Sequence, residues 1–186
     1  MNLLSLMNNG VYPTSLTRKI TLNGITQILP VYKIDLDLLY YNDQNDRIAS
    51  WISQFKDEQR STNLLEINRK EYNSKIEGFI VSSNPAAIEK TQMNIEIVGQ
   101  REPGVVLSDG RIIDGNRRYT CLRRLRNKSD KFGLYEAIIL DLDINDNKKM
   151  IKMLELSIHH GEEKRVDCFC YNLSRLSMNS FNFCIV

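Results

Sequence analysis

The residues in this chain best suited to chemistry are Asp114-Gly115-Asn116-Arg117-Arg118. They follow the apolar pair Ile112-Ile113 and precede a run with helical spacing. The pattern predicts a strand, a tight turn and a helix start. A helix N-terminus offers free backbone N–H groups and the positive end of the helix dipole. Gly115 lets the backbone turn and lets a ligand come close. Asn116 can cap the helix or hydrogen-bond a ligand. Arg117 and Arg118 place two guanidinium forks where oxyanions would sit, and Arg binds phosphate in bidentate fashion. Thr120 could point its hydroxyl at the same site. The chemistry predicted is the binding of a phosphate-bearing ligand.

Each residue also has a plainer reading. Two arginines in a first turn oppose the helix dipole, which favours acids there, and an unfavourable local choice points toward function. Arg123, Arg124 and Arg126 lie further along and read as a solvated face, with nucleic-acid contact as the alternative. Glu155 alone is a surface helix carboxylate. His159 and His160 suit the negative end of a helix, with proton transfer near a phosphate cleft as the alternative. Of four cysteines, Cys168 and Cys170 are separated by one residue, short of zinc-knuckle spacing. A zinc site from His160, Cys168 and Cys170 is disfavoured, because adjacent helical histidines point about 100° apart.

Several elements must position these groups. Leu29–Leu36 reads as a strand. The turn-rich run 42–46 leads into a helix over Arg47–Asp57, with Ile48, Trp51, Ile52 and Phe55 at i, i+3, i+4, i+7. Trp51 reads as core. A second helix is expected over Leu64–Val81. Pro85 opens a short helix over Ala86–Lys90, and Ile95–Val98 is a short strand candidate. Asp109-Gly110 between Val105–Leu107 and Ile112-Ile113 is a strong hairpin signal. A helix follows over Arg117–Asn127, a strand over Tyr135–Leu142 and a helix over Lys148–His160, stopped by Gly161.

The 186 residues fit one domain with an appendage, long enough to bury a core without staples. Net charge is +2, too mild a balance to predict nucleic-acid binding except through a local basic patch. The start of the chain lacks a basic n-region, and no apolar stretch reaches about eighteen residues, so neither a signal peptide nor a membrane span is expected. The expected compartment is the cytoplasm, with reduced cysteines.

Gly99-Gln100-Arg101-Glu102-Pro103, then Asp114-Gly115-Asn116-Arg117-Arg118, with Leu122 and Leu125 in the following helix, resembles the N-terminal domain of ParB-type partition proteins, in the ParB/sulfiredoxin superfamily. Arg47 sits where that family has an arginine after a Pro/Asn-rich turn, and Met153–His159 resembles its "E-N-x-x-R" box. The resemblance spans roughly 31–167. It implies an α+β fold, a small mixed sheet with a hairpin, flanked by helices, over 26–166. Residues 1–25 would be an N-terminal arm or short strand, and 167–186 a tail or truncated helical extension.

The resemblance further implies a cleft for CTP or ATP with magnesium and slow hydrolysis. Gly115, Arg117 and Arg118 would hold phosphates, with Arg47, Asp114, Asn116 and Thr120 nearby. Gly99 and Gln100 would wall the base or sugar. Glu155 would hold the metal or orient water, and Glu155 and Arg118 are the candidate catalytic residues. Asn116 stands where sulfiredoxins place their cysteine and ParB proteins a glutamate, so the expectation stops at binding. Candidate partners are the nucleotide, DNA and a second copy of the chain, without a membrane. The alternatives are a DNA-binding or nuclease-like accessory module, and a non-catalytic interaction protein.

Overall fold

The computed structural model describes residues 2–22, 25–42, 48, 52–53, 68–142 and 148–159. The fold is α+β: six strands form one mixed sheet, and four helices flank it among the described residues. The strands are β1 (Val11–Leu22), β2 (Ile25–Asp35), β3 (Tyr40–Tyr41), β4 (Gly104–Leu107), β5 (Arg111–Asp114) and β6 (Leu134–Leu140). The helices are α1 (Arg69–Ser83), α2 (Pro85–Val98), α3 (Asn116–Arg126) and α4 (Lys148–His159).

The sheet order is β1-β2-β6-β4-β5-β3. The pairs β4–β6 and β3–β5 are parallel, and the other three are antiparallel. Residues 1–25, expected as an arm or a short strand, instead contribute a twelve-residue strand that pairs with β2 from Val11 to Leu22.

Strand side chains alternate between two faces, and the apolar residues sort accordingly. Ile34, Val106, Ile112, Tyr135 and Ala137 join one core with Tyr72, Ile76, Ile88, Ile95, Leu122 and Leu125 of α1, α2 and α3. Val31, Val105, Leu107, Ile113, Ile138 and Leu140 join a second core with Ile151, Leu154 and Ile158 of α4. The sheet is thus buried on both sides, which explains why β4 and β6 read as nearly continuous apolar runs. Each fully buried Leu or Ile contributes about 1.5–3 kcal/mol.

Local chemistry sets the helix ends. Asn68 accepts from Lys70 N at 2.9 Å and Glu71 N at 3.4 Å, so α1 begins at Arg69. Asn84 accepts from Ala87 N at 3.0 Å, with Pro85 in the first turn of α2. The strand expected at Ile95–Val98 is the last turn of α2, which runs well past Lys90. Ile88 and Ile95, two turns apart, are both buried on one helical face, and that burial outweighs the local β-propensity of Ile95, Ile97 and Val98.

Of the helix expected over Arg47–Asp57, only Ile48, Ile52 and Ser53 are described. Ile48 and Ile52 are buried, and Ile52 N donates to Ile48 O at 3.0 Å in a helical turn. Arg47, Trp51, Phe55, Leu65, His160 and the cysteines at 168, 170 and 184 lie outside the described residues.

Candidate functional site

Strand β5 ends at Asp114, Gly115 turns, and α3 begins at Asn116. Gly115 has φ +104° and ψ +20°, a left-handed conformation that an L side chain rarely adopts. A Cβ there would lie 2.0 Å from the Tyr135 hydroxyl. A Cβ on Gly104 would meet the same hydroxyl at 2.0 Å. Tyr135 therefore fills the space left by two glycines, and it donates to Asp114 O at 3.1 Å. Burial pushes its pKa well above the ordinary phenol range.

Asp114 is the hub of the turn. Its Oδ2 accepts from Arg18 Nη1 at 3.2 Å and Nη2 at 3.1 Å, and from Arg118 Nη2 at 3.1 Å. Arg18 also donates to Pro103 O at 2.6 Å. The other terminal nitrogen of Arg118 donates to Glu102 Oε2 at 3.2 Å. Burial works to lower the Arg118 pKa, but Tyr135, Asp114 and Glu102 outweigh it and hold the guanidinium above its ordinary value. Arg118 Nε is buried without a hydrogen-bond partner.

The start of α3 is uncapped. Gly115 has no side chain to bond the first-turn N–H groups, and Tyr119 N is the group that reaches Gly115 O, at 3.0 Å. Asn116 is buried, and its Oδ1 has no partner. Arg117 is half-buried and forms no ion pair with a described residue. Within one turn of helix lie the uncapped first-turn N–H groups, the Arg118 guanidinium and the Arg117 guanidinium, donors of the kind an oxyanion accepts from.

The other expected site residues are placed differently. Thr120 is fully buried: its hydroxyl bonds Asn116 O at 2.9 Å and the Tyr41 hydroxyl at 2.8 Å, inside the core. It shares a helical face with Asn116, four residues earlier, and both are buried. Gln100 is bound to backbone: Nε2 donates to Glu136 O at 2.7 Å and Glu102 O at 2.9 Å, and Oε1 accepts from Glu136 N at 3.0 Å. The side chain stands in for a strand neighbour of β6 just before β4 begins. Gly99 closes α2, donating to Ile95 O at 2.9 Å.

Glu155 is buried on α4, against the opposite face of the sheet from α3, with Lys152 Nζ at 3.7 Å. Magnesium asks for several carboxylate or phosphate oxygens. Asp114 is held by two arginines, Glu102 by one, and Glu155 lies across the sheet. Among the described residues no group of three or more His, Cys, Asp or Glu converges. These side chains do not fit a protein-built magnesium site.

The basic residues further along α3 are all engaged. Arg123 Nε meets Glu77 Oε2 at 2.7 Å, Arg124 Nε meets Gln92 Oε1 at 2.9 Å, Arg126 meets Asp37 at 2.9 Å, and Lys128 meets Glu96 at 3.2 Å. Arg111 is buried and reaches the Tyr40 hydroxyl at 3.1 Å. Cys121 is buried in the core, and burial pushes its thiol up to about 11, so it is inert at neutral pH.

No family model, curated protein or solved structure matches the chain. Sequence reasoning missed Arg18, Glu102, Gly104 and Tyr135 as parts of it. Arg18 lies 96 residues from Asp114 and carries no local signal. Glu102 entered only within the run Gly99–Pro103 that resembles the ParB motif, with no role of its own. No helix among the described residues is long and apolar enough to cross a membrane.

Proposed function

We propose that the turn from Gly115 to Arg118 binds the phosphate of a nucleoside phosphate, CTP or ATP. The observation that carries the reading is the uncapped start of α3, where the buried Arg118 Nε–H has no hydrogen-bond partner and Arg117 forms no ion pair with a described residue. Asp114 and Arg18 hold Arg118 in place, so its fork is oriented before a ligand arrives. Such preorganisation reduces the ordering cost of binding. The resemblance of the sequence to ParB-type domains adds the nucleoside to the phosphate.

Calorimetry with CTP and ATP tests it. Arg117→Ala removes a cation that forms no ion pair with a described residue, so the fold should be unaffected while nucleotide affinity falls about tenfold or more. Absence of binding to the unaltered chain, or equal affinity in the variant, overturns the reading. Arg118→Ala is a poorer probe, because Arg118 also neutralises Asp114.

A further inference from the structure

Strand β1 stands first in the sheet and pairs with β2 alone, so its other side is a free edge among the described residues. The hydrogen bonds of β2 decide which groups that edge offers. Leu36 N donates to Gly133 O at 3.1 Å, on the β6 side. Asp35 N donates to Gly10 O at 2.8 Å, and Val31 O accepts from Thr14 Oγ1 at 2.6 Å, both on the β1 side. Odd-numbered residues of β2 therefore turn their N–H and C=O groups toward β1. Leu29 and Gln27 lie opposite Arg18 and Ile20. The N–H and C=O groups of Thr17, Lys19 and Thr21, which alternate with these two, point outward.

The first half of the edge is closed. Val11 O already accepts from Asn8 N at 2.8 Å. Pro13 has no N–H to offer. The register shifts between Pro13 and Thr17, and Leu16 N donates to Thr14 Oγ1 at 3.1 Å. Residues 17–21 are regular, and there three donors and three acceptors stand in a row. Such a row is a template for another strand.

We propose that residues 17–21 dock an extended acidic segment of a partner protein as an added antiparallel strand, with a carboxylate placed opposite Lys19. In such docking the main-chain hydrogen bonds supply affinity and the alternate side chains supply selection. This inference is independent of the phosphate reading above and concerns a different part of the molecule.

Charge selects the occupant. Lys19 is exposed at the middle of the row and forms no ion pair with a described residue. Its neighbour Arg18 is already held by Asp114 at 3.1 Å. Strand β1 carries no acid, and β2 carries none before Asp35. Opposite charges directly across an antiparallel pair stabilise it, and like charges destabilise it. A second copy of this chain is therefore a poor occupant. The two-fold antiparallel register that uses all three outward residues sets the two Lys19 side chains directly against each other. A strand with a carboxylate at that place meets the same lysine with the opposite sign.

The test is a titration of the full chain, followed through its backbone amide NMR signals, with two peptides. One is acetyl-Thr-Val-Glu-Val-Thr-amide, and the other has Lys in place of Glu. The amides of Thr17, Lys19 and Thr21 should shift more than those of Arg18 and Ile20. The acidic peptide should bind about fivefold more tightly than the basic one. Lys19→Glu should invert that order, and Lys19→Thr should level it. Both variants should keep the unfolding midpoint, because Lys19 is exposed. No shift with either peptide, or shifts confined to other residues, overturns the docking edge. Equal affinity of the two peptides for the unaltered chain overturns the selection by charge. Signals of residues 17–21 that broaden with protein concentration before peptide is added assign the edge to a second copy and overturn the proposal.

Discussion

The two ends of α3 use the same residue type to opposite effect. At the C-terminal end, Arg123, Arg124, Arg126 and the following Lys128 each reach a partner on α1, α2 or the loop after β2. Cations there also suit the negative end of the helix dipole. These side chains bolt the helical layer together. At the N-terminal end, Arg117 lacks an ion pair among the described residues, Arg118 is split between two carboxylates, and both sit where the dipole disfavours them. Arginine-rich sequence is therefore a poor guide to ligand binding by itself. What separates the two ends is whether tertiary partners have already consumed the donors.

The sharpest way to break the contrast is to remove the turn that creates the N-terminal end. Gly115→Ala forces a side chain into a left-handed backbone and onto the Tyr135 hydroxyl, and should cost about 2–4 kcal/mol in denaturant unfolding. Adding Tyr135→Phe should restore part of that loss, because the hydroxyl is the atom struck. It should restore less for Gly104→Ala, whose Cβ would also lie 2.6 Å from the ring carbon Cζ. Equal rescue at both positions would contradict this account of the paired glycines.

Next in size is the bolted end. Arg123 is paired at 2.7 Å with side chains about one-fifth exposed, and lies over the Tyr119 ring at 5.6 Å. Arg123→Ala should lower stability by about 1–2 kcal/mol and leave nucleotide affinity unchanged. Arg117→Ala should do the reverse, weakening nucleotide about tenfold with a stability change within about 0.5 kcal/mol. If both variants lose affinity equally, the division of α3 into two roles fails. The smallest effect belongs to Lys128→Ala, whose exposed pair with Glu96 should contribute at most about 0.5 kcal/mol, fading with added salt.

Much of the fold was legible. The hairpin around Asp109-Gly110 and the strand-turn-helix at Asp114–Arg118 are local features, set by glycine conformation, β-branched runs and helical spacing. The apolar stripe Ile151, Leu154, Ile158 marked α4 in the same way. The length of α2 was not legible, because Ile95 and Val98 favour a strand locally and only burial of Ile88 and Ile95 on one face extends the helix. The first strand was hidden for a similar reason: much of it is exposed, and long-range contacts, its pairing with β2 above all, fix it.

The sequence by itself determined the strand-turn-helix at Asp114–Arg118, because Gly115, the helix start and the two arginines are contiguous and act through local backbone geometry. Only the tertiary structure decided which donors remain free. Thr120 was turned into the core, Gln100 was spent on the β6 backbone, and Glu155 was carried to the far face of the sheet. Arg18 and Glu102 arrived from distant segments to hold and cover Arg118. Hydrogen-bond capacity is finite, and long-range packing, which no local pattern encodes, settles how it is shared.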